Sequence, residues 1–409
     1  MITTRTIRTA QLSHSQICDW ECMVRSNPWL TSPFFRPEFT LAVGRVRTDV
    51  RIIVVEKQDV PVAFLPFQLA ANGEHIAVGA SLNDFQGVIS TPDARFSMDK
   101  ILRHAGVRRM FCPKLMDGQH RFDSFVVAEN ASPFVDLSNG YCAWEEDLKR
   151  RGAGLLKRLA RKERKLVRDL GTVHLEYHTT STGILQQLIT WKKNQYRRTN
   201  EKDTFAVTWT NALLHNLLAV SQDSELQPLL SAMYAGKKLI AAHYCLTAQG
   251  VCHSWIPAYD PAFRRYSPGK LLLRRLLFEA PERSIERFDF GAGDEPYKYQ
   301  FANDASSVRR VMIDRNPLRR WVRSNAHHAR ISVKHSLIGP RLIALRDRLQ
   351  SAIRNVQPAQ EPSSLMDTLL ETIAIESSVT TRPEVKEIQQ DAETSASDVQ
   401  LSATSTTSH

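Results

Sequence analysis

The chain has 409 residues, 42% of them hydrophobic and 24% charged, so it is too long for one ordinary core and has the composition of a soluble globular protein. No stretch approaches the roughly 18 uninterrupted apolar residues of a spanning helix, the start MITTRTIRTAQLSH lacks the apolar centre of a secretory leader, and six scattered cysteines without a CxxC pair offer neither a disulfide framework nor a metal site. These features predict a cytoplasmic, metal-free protein whose net charge of +11 seeks an anionic partner.

Residues 13–27 predict a helix opened by Ser13 or Ser15, with Ile17, Trp20, Met23 and Val24 on one side. A second helix is expected over 37–46, where Pro37 suits a first turn. RIIVVEK (51–57) and VPVAFLPFQLA (60–70) predict a hairpin turning at Gln58-Asp59. Strand-like pieces at 75–79, 86–90 and 107–112 and a helix near 97–105 complete a first unit, residues 1–147, in which Asp84 of the loop LNDFQG is a candidate substrate contact. Residues 148–171 hold ten Lys or Arg, with Leu155, Leu159, Leu166 and Leu170 at helical spacing, and predict a basic linking helix with one buried stripe. The pattern then starts over for residues 172–314. A strand at 173–179 and helices at 182–198 and 209–221 lead into a three-stranded meander over 226–259, turned at Gly236-Lys237 and Gln249-Gly250. Alternation places His243 with Ala241 and Cys245 on one face, and His253 with Trp255 and Tyr259 on one face of the next strand. Both histidines are candidate substrate contacts, and Pro257 predicts a bulge or strand end. Residues 315–354 set ten Lys or Arg against the single acid Asp347, a basic helical extension suited either to an anionic membrane surface or to packing on the fold. Residues 355–409, poor in aromatics and rich in Ser, Thr, Gln and Glu, predict a disordered tail.

Two neighbouring stretches carry the chemistry. FRRYSPGKLLLRRLL (263–277) sets Ser267, Pro268 and Gly269 at the start of an apolar helix, where free N–H groups and the positive end of the helix dipole favour a phosphate, with Arg264, Arg265 and Lys270 around it. RFDFGAGDEPYKYQF (287–301) then gathers Asp289, Asp294, Glu295, Tyr297 and Lys298 at a strand end, with two glycines between the first two acids.

DPAFRRYSPGKLLL (260–273) followed by FDFGAGDEPYKYQF (288–301) resembles the C-terminal signature of the CelD-like acetyltransferases, a branch of the GNAT superfamily associated with bacterial cellulose and exopolysaccharide biosynthesis. SPFFRPEF (32–39), RIIVVEKQDVPVAFLPF (51–67) and NDFQGV (83–88) look like the first repeat of a tandem-GNAT, FemABX-like arrangement. The pyrophosphate loop usual in that superfamily is present only as Arg265-Tyr266-Ser267-Pro268-Gly269-Lys270, with Pro and Lys in unusual places. The resemblance implies an α+β fold of two tandem GNAT-like domains, each a mostly antiparallel sheet flanked by helices. It also implies acetyl-CoA or another acyl-CoA as cosubstrate, held by Tyr259, Arg264, Arg265, Ser267, Gly269 and Lys270. Direct attack of an acceptor on a thioester needs a base, an oxyanion partner and an acid for the thiolate; Asp294 is the candidate base or acceptor-orienting group, Lys298 the candidate oxyanion or phosphate partner and Tyr297 the candidate thiol proton donor. The expected partner is a saccharide or glycan precursor, with peripheral contact to an anionic membrane. Two alternatives stand beside it: an aminoacyl transferase using aminoacyl-tRNA, or a GNAT-fold regulator of a polysaccharide synthase without turnover.

Overall fold

In the computed structural model, residues 2–316 are described apart from Ala153 and Gln222. The expected basic extension from 315 onward and the expected tail therefore lie, but for Arg315 and Asn316, outside the described residues. The first half runs β1 (Ile2–Arg8), α1 (His14–Ser26), α2 (Pro37–Val46), β2 (Val50–Lys57), β3 (Val60–Leu69), β4 (His75–Ile76), α3 (Met98–His104), β5 (Arg109–Met116) and β6 (Val126–Asp136). Two helices follow, α4 (Gly140–Arg150) and α5 (Leu155–Leu170), separated around Gly152 at φ +69, so the expected basic helix begins seven residues later than its charge pattern does. The second half runs β7 (Val173–Glu176), α6 (Thr182–Thr199), α7 (Thr208–Leu218), β8 (Gln227–Ala235), β9 (Lys238–Ala248), β10 (Val251–Tyr259), α8 (Pro268–Glu279), β11 (Arg287–Asp289), α9 (Pro296–Phe301) and β12 (Asp304–Asp314).

The twelve strands of the described residues join one mixed sheet in the order β1-β2-β3-β4-β5-β12-β6-β11-β10-β9-β8-β7. The two halves interlock within it. Strand β12, last of the described strands, inserts between β5 and β6 of the first half, and β6 in turn pairs with β11, opposing Phe134 to Asp289. Helices α1, α2, α6 and α7 cover one face with a single apolar core that spans both halves, including Trp20, Phe39, Leu213, Tyr244 and Trp255. On the other face α3 covers the first half through Ile101 and Leu102, while α4, α5 and α8 cover the second through Trp144, Leu159 and Leu276. A fully buried Arg36 fastens the halves, pairing with Glu225 at 2.8 Å and Glu38 at 3.4 Å.

The meander β8-β9-β10 stands where the alternating pattern predicts it. Its irregularity falls between Ser254 and Ile256 rather than at Pro257. That bulge alters the expected alternation: His253 and Trp255 share a face, both touching the Phe34 ring, whereas Tyr259 packs with the opposite core beside α8.

Candidate functional site

Strand β10 is bonded along its whole length to β9, but its parallel pairing with β11 covers only Val251–His253. From Ser254 to Tyr259 the β11 side of the strand is open. A cleft of about 510 Å³ lies there, walled by β10 through Pro257, Ala258 and Tyr259, by the first turn of α8 through Ser267, Gly269 and Lys270, and by Lys192 of α6. Arg264, His243 and Tyr297 also line it, and Lys162 of α5 closes one side. Six residues singled out in the sequence thus converge with His243 on one cavity. Arg265 does not join them: its guanidinium lies 4.7 Å from the Tyr266 ring centre and 3.8 Å from Asp169.

Among the described residues the cleft is lined by four cationic side chains, Lys162, Lys192, Arg264 and Lys270, and by no carboxylate. Burial, with repulsion from Lys162 and Arg158, pushes the Lys270 pKa down, and burial does the same for Lys192. A counter-charge from a ligand relieves exactly this kind of strain. Fewer backbone donors are free than the turn sequence implies. Ser267 N–H donates to Arg264 O at 3.0 Å, Lys270 and Leu271 N–H both donate to Ser267 O at 3.1 Å, and Pro268 has no N–H. Gly269 is left as the turn's N–H without a partner inside the turn, so side-chain charge carries most of the affinity for an anion. Lys162 is drawn in by donating to Ser267 Oγ at 2.5 Å, and Lys270 by donating to Gln300 at 2.6 Å.

Tyr297 reaches the cleft from α9. Burial raises its pKa well above the ordinary phenol value, and the charges of Glu295 and Asp84 add to that. It therefore stays protonated at neutral pH, as a proton donor must. Lys298 is buried one residue on, and its ammonium donates to the carbonyls of Gly291 (3.3 Å) and Ala292 (3.1 Å) and pairs with Glu295 at 3.0 Å. This engagement shapes the glycine loop. Gly293 stands at φ +150, a backbone conformation that side-chain-bearing residues rarely adopt. Asp294 is exposed on the same loop.

The first half contributes Asp84. Its carboxylate pairs with Lys114 and accepts from His253 Nε2 at 2.8 Å. Burial alone would raise the Asp84 pKa, but Lys114 and His253 outweigh it and hold the group well below the usual carboxylate range. His253 is fully buried between Phe34 and Phe85, and its Nδ1 stands 3.9 Å from Asp289. Gly291, at φ +66, admits both groups, since a Cβ there would meet Asp84 Oδ2 and His253 Cε1 at 3.3 Å. Asp84 and His253 thus support the loop from beneath rather than line the cleft. Lys162 and Lys192 went unnoticed in the sequence. For Lys162 a signal was present: the buried stripe Leu155, Leu159, Leu166 calls for an apolar residue at 162, and a lysine stands there.

An open strand edge thus stands beside a cationic helix start, with Tyr297 in the same cleft. Residues 153–299 match the family profile described as an acetyltransferase (GNAT) domain. Solved structures are similar to the chain over most of its length. FemX is 9% identical over 78% of this chain and 99% of its own, with a TM-score of 0.51. The C-terminal domain of a protein described as a lysylphosphatidylglycerol synthetase from Agrobacterium fabrum is 13% identical over 78% and 95%, with a TM-score of 0.48. A tandem GNAT protein from the clavulanic acid pathway is 8% identical over 78% and 99%, at 0.45. No curated protein sequence matches the chain. Among the described residues no three His, Cys, Asp or Glu side chains gather as metal ligands, and no helix is long and apolar enough to cross a membrane.

Proposed function

We propose that the protein transfers an acyl group from acyl-CoA to an amine or hydroxyl of a saccharide or polysaccharide precursor, in cellulose or exopolysaccharide assembly. The observation that carries the donor half is the cleft itself, four cations without a carboxylate at the open edge of β10. Arg264, Lys162 and Lys270 receive the pyrophosphate, the open edge from Ala258 to Tyr259 offers backbone groups to the acyl arm, and Tyr297 protonates the departing thiolate. Asp294, exposed at the loop tip, orients the acceptor. The saccharide acceptor rests on the resemblance of residues 260–273 and 288–301 to the CelD-like signature.

A second reading, aminoacyl transfer from tRNA, is favoured by one feature. The outer face of α5 exposes Arg158, Arg161, Lys165 and Arg168 beside Lys162, a stripe that suits a nucleic-acid backbone. Calorimetry of the full chain with acetyl-CoA and with an aminoacyl-tRNA separates the two. Saturable binding of acetyl-CoA at near-physiological salt supports the first; binding of tRNA alone replaces it with the second. Acetyl-CoA binding without thiol release to any amine or sugar supports a regulatory GNAT fold. Peripheral membrane contact through residues 315–354 belongs to the same proposal, and salt-sensitive co-sedimentation with anionic vesicles tests it.

A further inference from the structure

Pro257 changes what the open edge of β10 can offer a ligand. Asp260 N–H donates to Ile240 O at 3.0 Å, and the register runs back from there without a shift, Ala258 opposite Ala242, Pro257 opposite His243 and Ile256 opposite Tyr244. Backbone groups alternate in direction along an antiparallel ladder, so Ile256 and Ala258 turn toward β9 while Pro257 and Tyr259 turn outward. A proline facing outward costs the ladder no bond, which is why the strand accepts one here. It also leaves the open edge with a carbonyl at 257 and no N–H. Tyr259 is the remaining outward N–H of that stretch.

Lys192 stands at this gap. From α6 its ammonium donates to Pro257 O at 3.5 Å and to Gln195 Oε1 at 3.4 Å, and it lies 5.5 Å from the Tyr196 ring centre. Both hydrogen bonds are long, and no carboxylate among the described residues lines the cleft to pair with it. Burial works against the charge, a cost that a negative oxygen alongside relieves. Lys162, Arg264 and Lys270 surround the helix start and serve the pyrophosphate, which leaves Lys192 without a task. Lys298, the lysine expected for an oxyanion, is not among the cleft residues, and its ammonium is held by Gly291 O, Ala292 O and Glu295.

We infer that Lys192 is a further catalytic residue, whose ammonium replaces the N–H missing at Pro257 and binds the carbonyl oxygen of the acyl group. The inference rests on the acyl-CoA reading above. As the acceptor nitrogen or oxygen bonds to the acyl carbon, the π pair of the carbonyl moves onto its oxygen, and Lys192 meets that charge while keeping its own proton. The pair then returns, the carbon–sulfur bond breaks, and the thiolate takes the Tyr297 proton, which the proton released by the acceptor replaces. The acceptor has exchanged a proton for the acyl group, one thiol has left, and Lys192 ends as it began.

Isotope-edited infrared spectra of carbonyl-labelled acetyl-CoA bound to the full chain read this contact without reference to any acceptor. The thioester carbonyl band is expected at lower frequency in the wild type than in Lys192→Met, and Lys192→Arg, which keeps a cation, retains most of that shift. Thiol release to water and to glucosamine should fall about 100-fold in kcat in Lys192→Met, while calorimetric affinity for CoA, which has no acyl carbonyl, stays at the wild-type value and shows that the variant is folded. A band that does not move in Lys192→Met overturns the inference. So does CoA affinity that falls in parallel with kcat, since Lys192 is then a phosphate contact. Failure of the wild type to bind acetyl-CoA overturns the acyl-CoA reading itself.

Discussion

Helix α8 has a cleft on each of two faces, and the pair differ in one respect that matters. Gly269, Lys270, Leu272 and Leu273 look into the donor cleft, while Leu271, Arg274, Arg275 and Phe278 look into a second cavity of about 670 Å³ between α4, α5 and β7. The second cavity is the larger and is also rich in arginine. Each of its arginines, however, already has an acid: Arg275 meets Glu163 at 2.5 Å, Arg274 meets Glu145 at 3.7 Å, and Arg283 meets Glu279 at 3.2 Å while lying over the Tyr177 ring. Size and cation count do not separate the two cavities. Compensation does, because paired charges have spent their field on each other, whereas uncompensated ones remain available to a ligand.

That contrast is open to direct attack. The largest effect expected is from Lys270→Glu, which both removes a cation and places a carboxylate in the donor cleft; acetyl-CoA affinity by calorimetry should fall about 100-fold, as for loss of a charge-assisted contact together with new repulsion. Unchanged affinity would remove the cationic cleft as the donor site. Next in size is Asp84→Asn, which leaves Lys114 without its carboxylate and should cost about 1–3 kcal/mol in denaturant unfolding. Because the folded pKa of Asp84 lies below the unfolded value of about 4, its contribution is complete at neutral pH and is lost as pH falls through the folded value. The stability gap between wild type and Asp84→Asn should therefore be constant from pH 7 to 5 and narrow only in acid. A gap that instead closes between pH 7 and 6 would put the titration on another group. The smallest effect belongs to Arg275→Ala in the second cavity. A partly exposed pair is worth up to about 1 kcal/mol, so stability should fall slightly and acetyl-CoA affinity not at all. An affinity loss comparable to that of Lys270→Glu would erase the distinction between the two clefts.

The helix start at 267–269 was legible because its signal is local: a polar turn, a proline and a glycine before a leucine run mark a helix start wherever they occur, and the cavity forms around it. What was hidden depends on long-range placement. Lys192 is one of many polar residues on α6 until the strand it faces is known, since its ammonium reaches toward Pro257 O only at 3.5 Å across 65 residues. Strands β6 and β12 were missed for a related reason. The runs AENAS in β6 and DASS in β12 lack apolar alternation: Glu129, Asn130 and Ala131 are exposed, opposite Arg309, Val308 and Ser307, and Asp304 and Ala305 are exposed at the start of β12. The hairpin at Gln58-Asp59, by contrast, was read from its turn, and both residues do adopt positive φ.

The insertion of β12 has a consequence for the order in which the molecule can be made. On the ribosome the first 136 residues emerge with β5 and β6 complete, but these strands are not neighbours in the finished sheet, and the segment that separates them, Asp304–Asp314, is translated about 170 residues later. The early strands must wait with open edges, or pair wrongly and come apart, until the final strand arrives. Closure of the sheet is thus a late event that commits both halves together. A chain cut short before Asp304 lacks the central strand of its own first half.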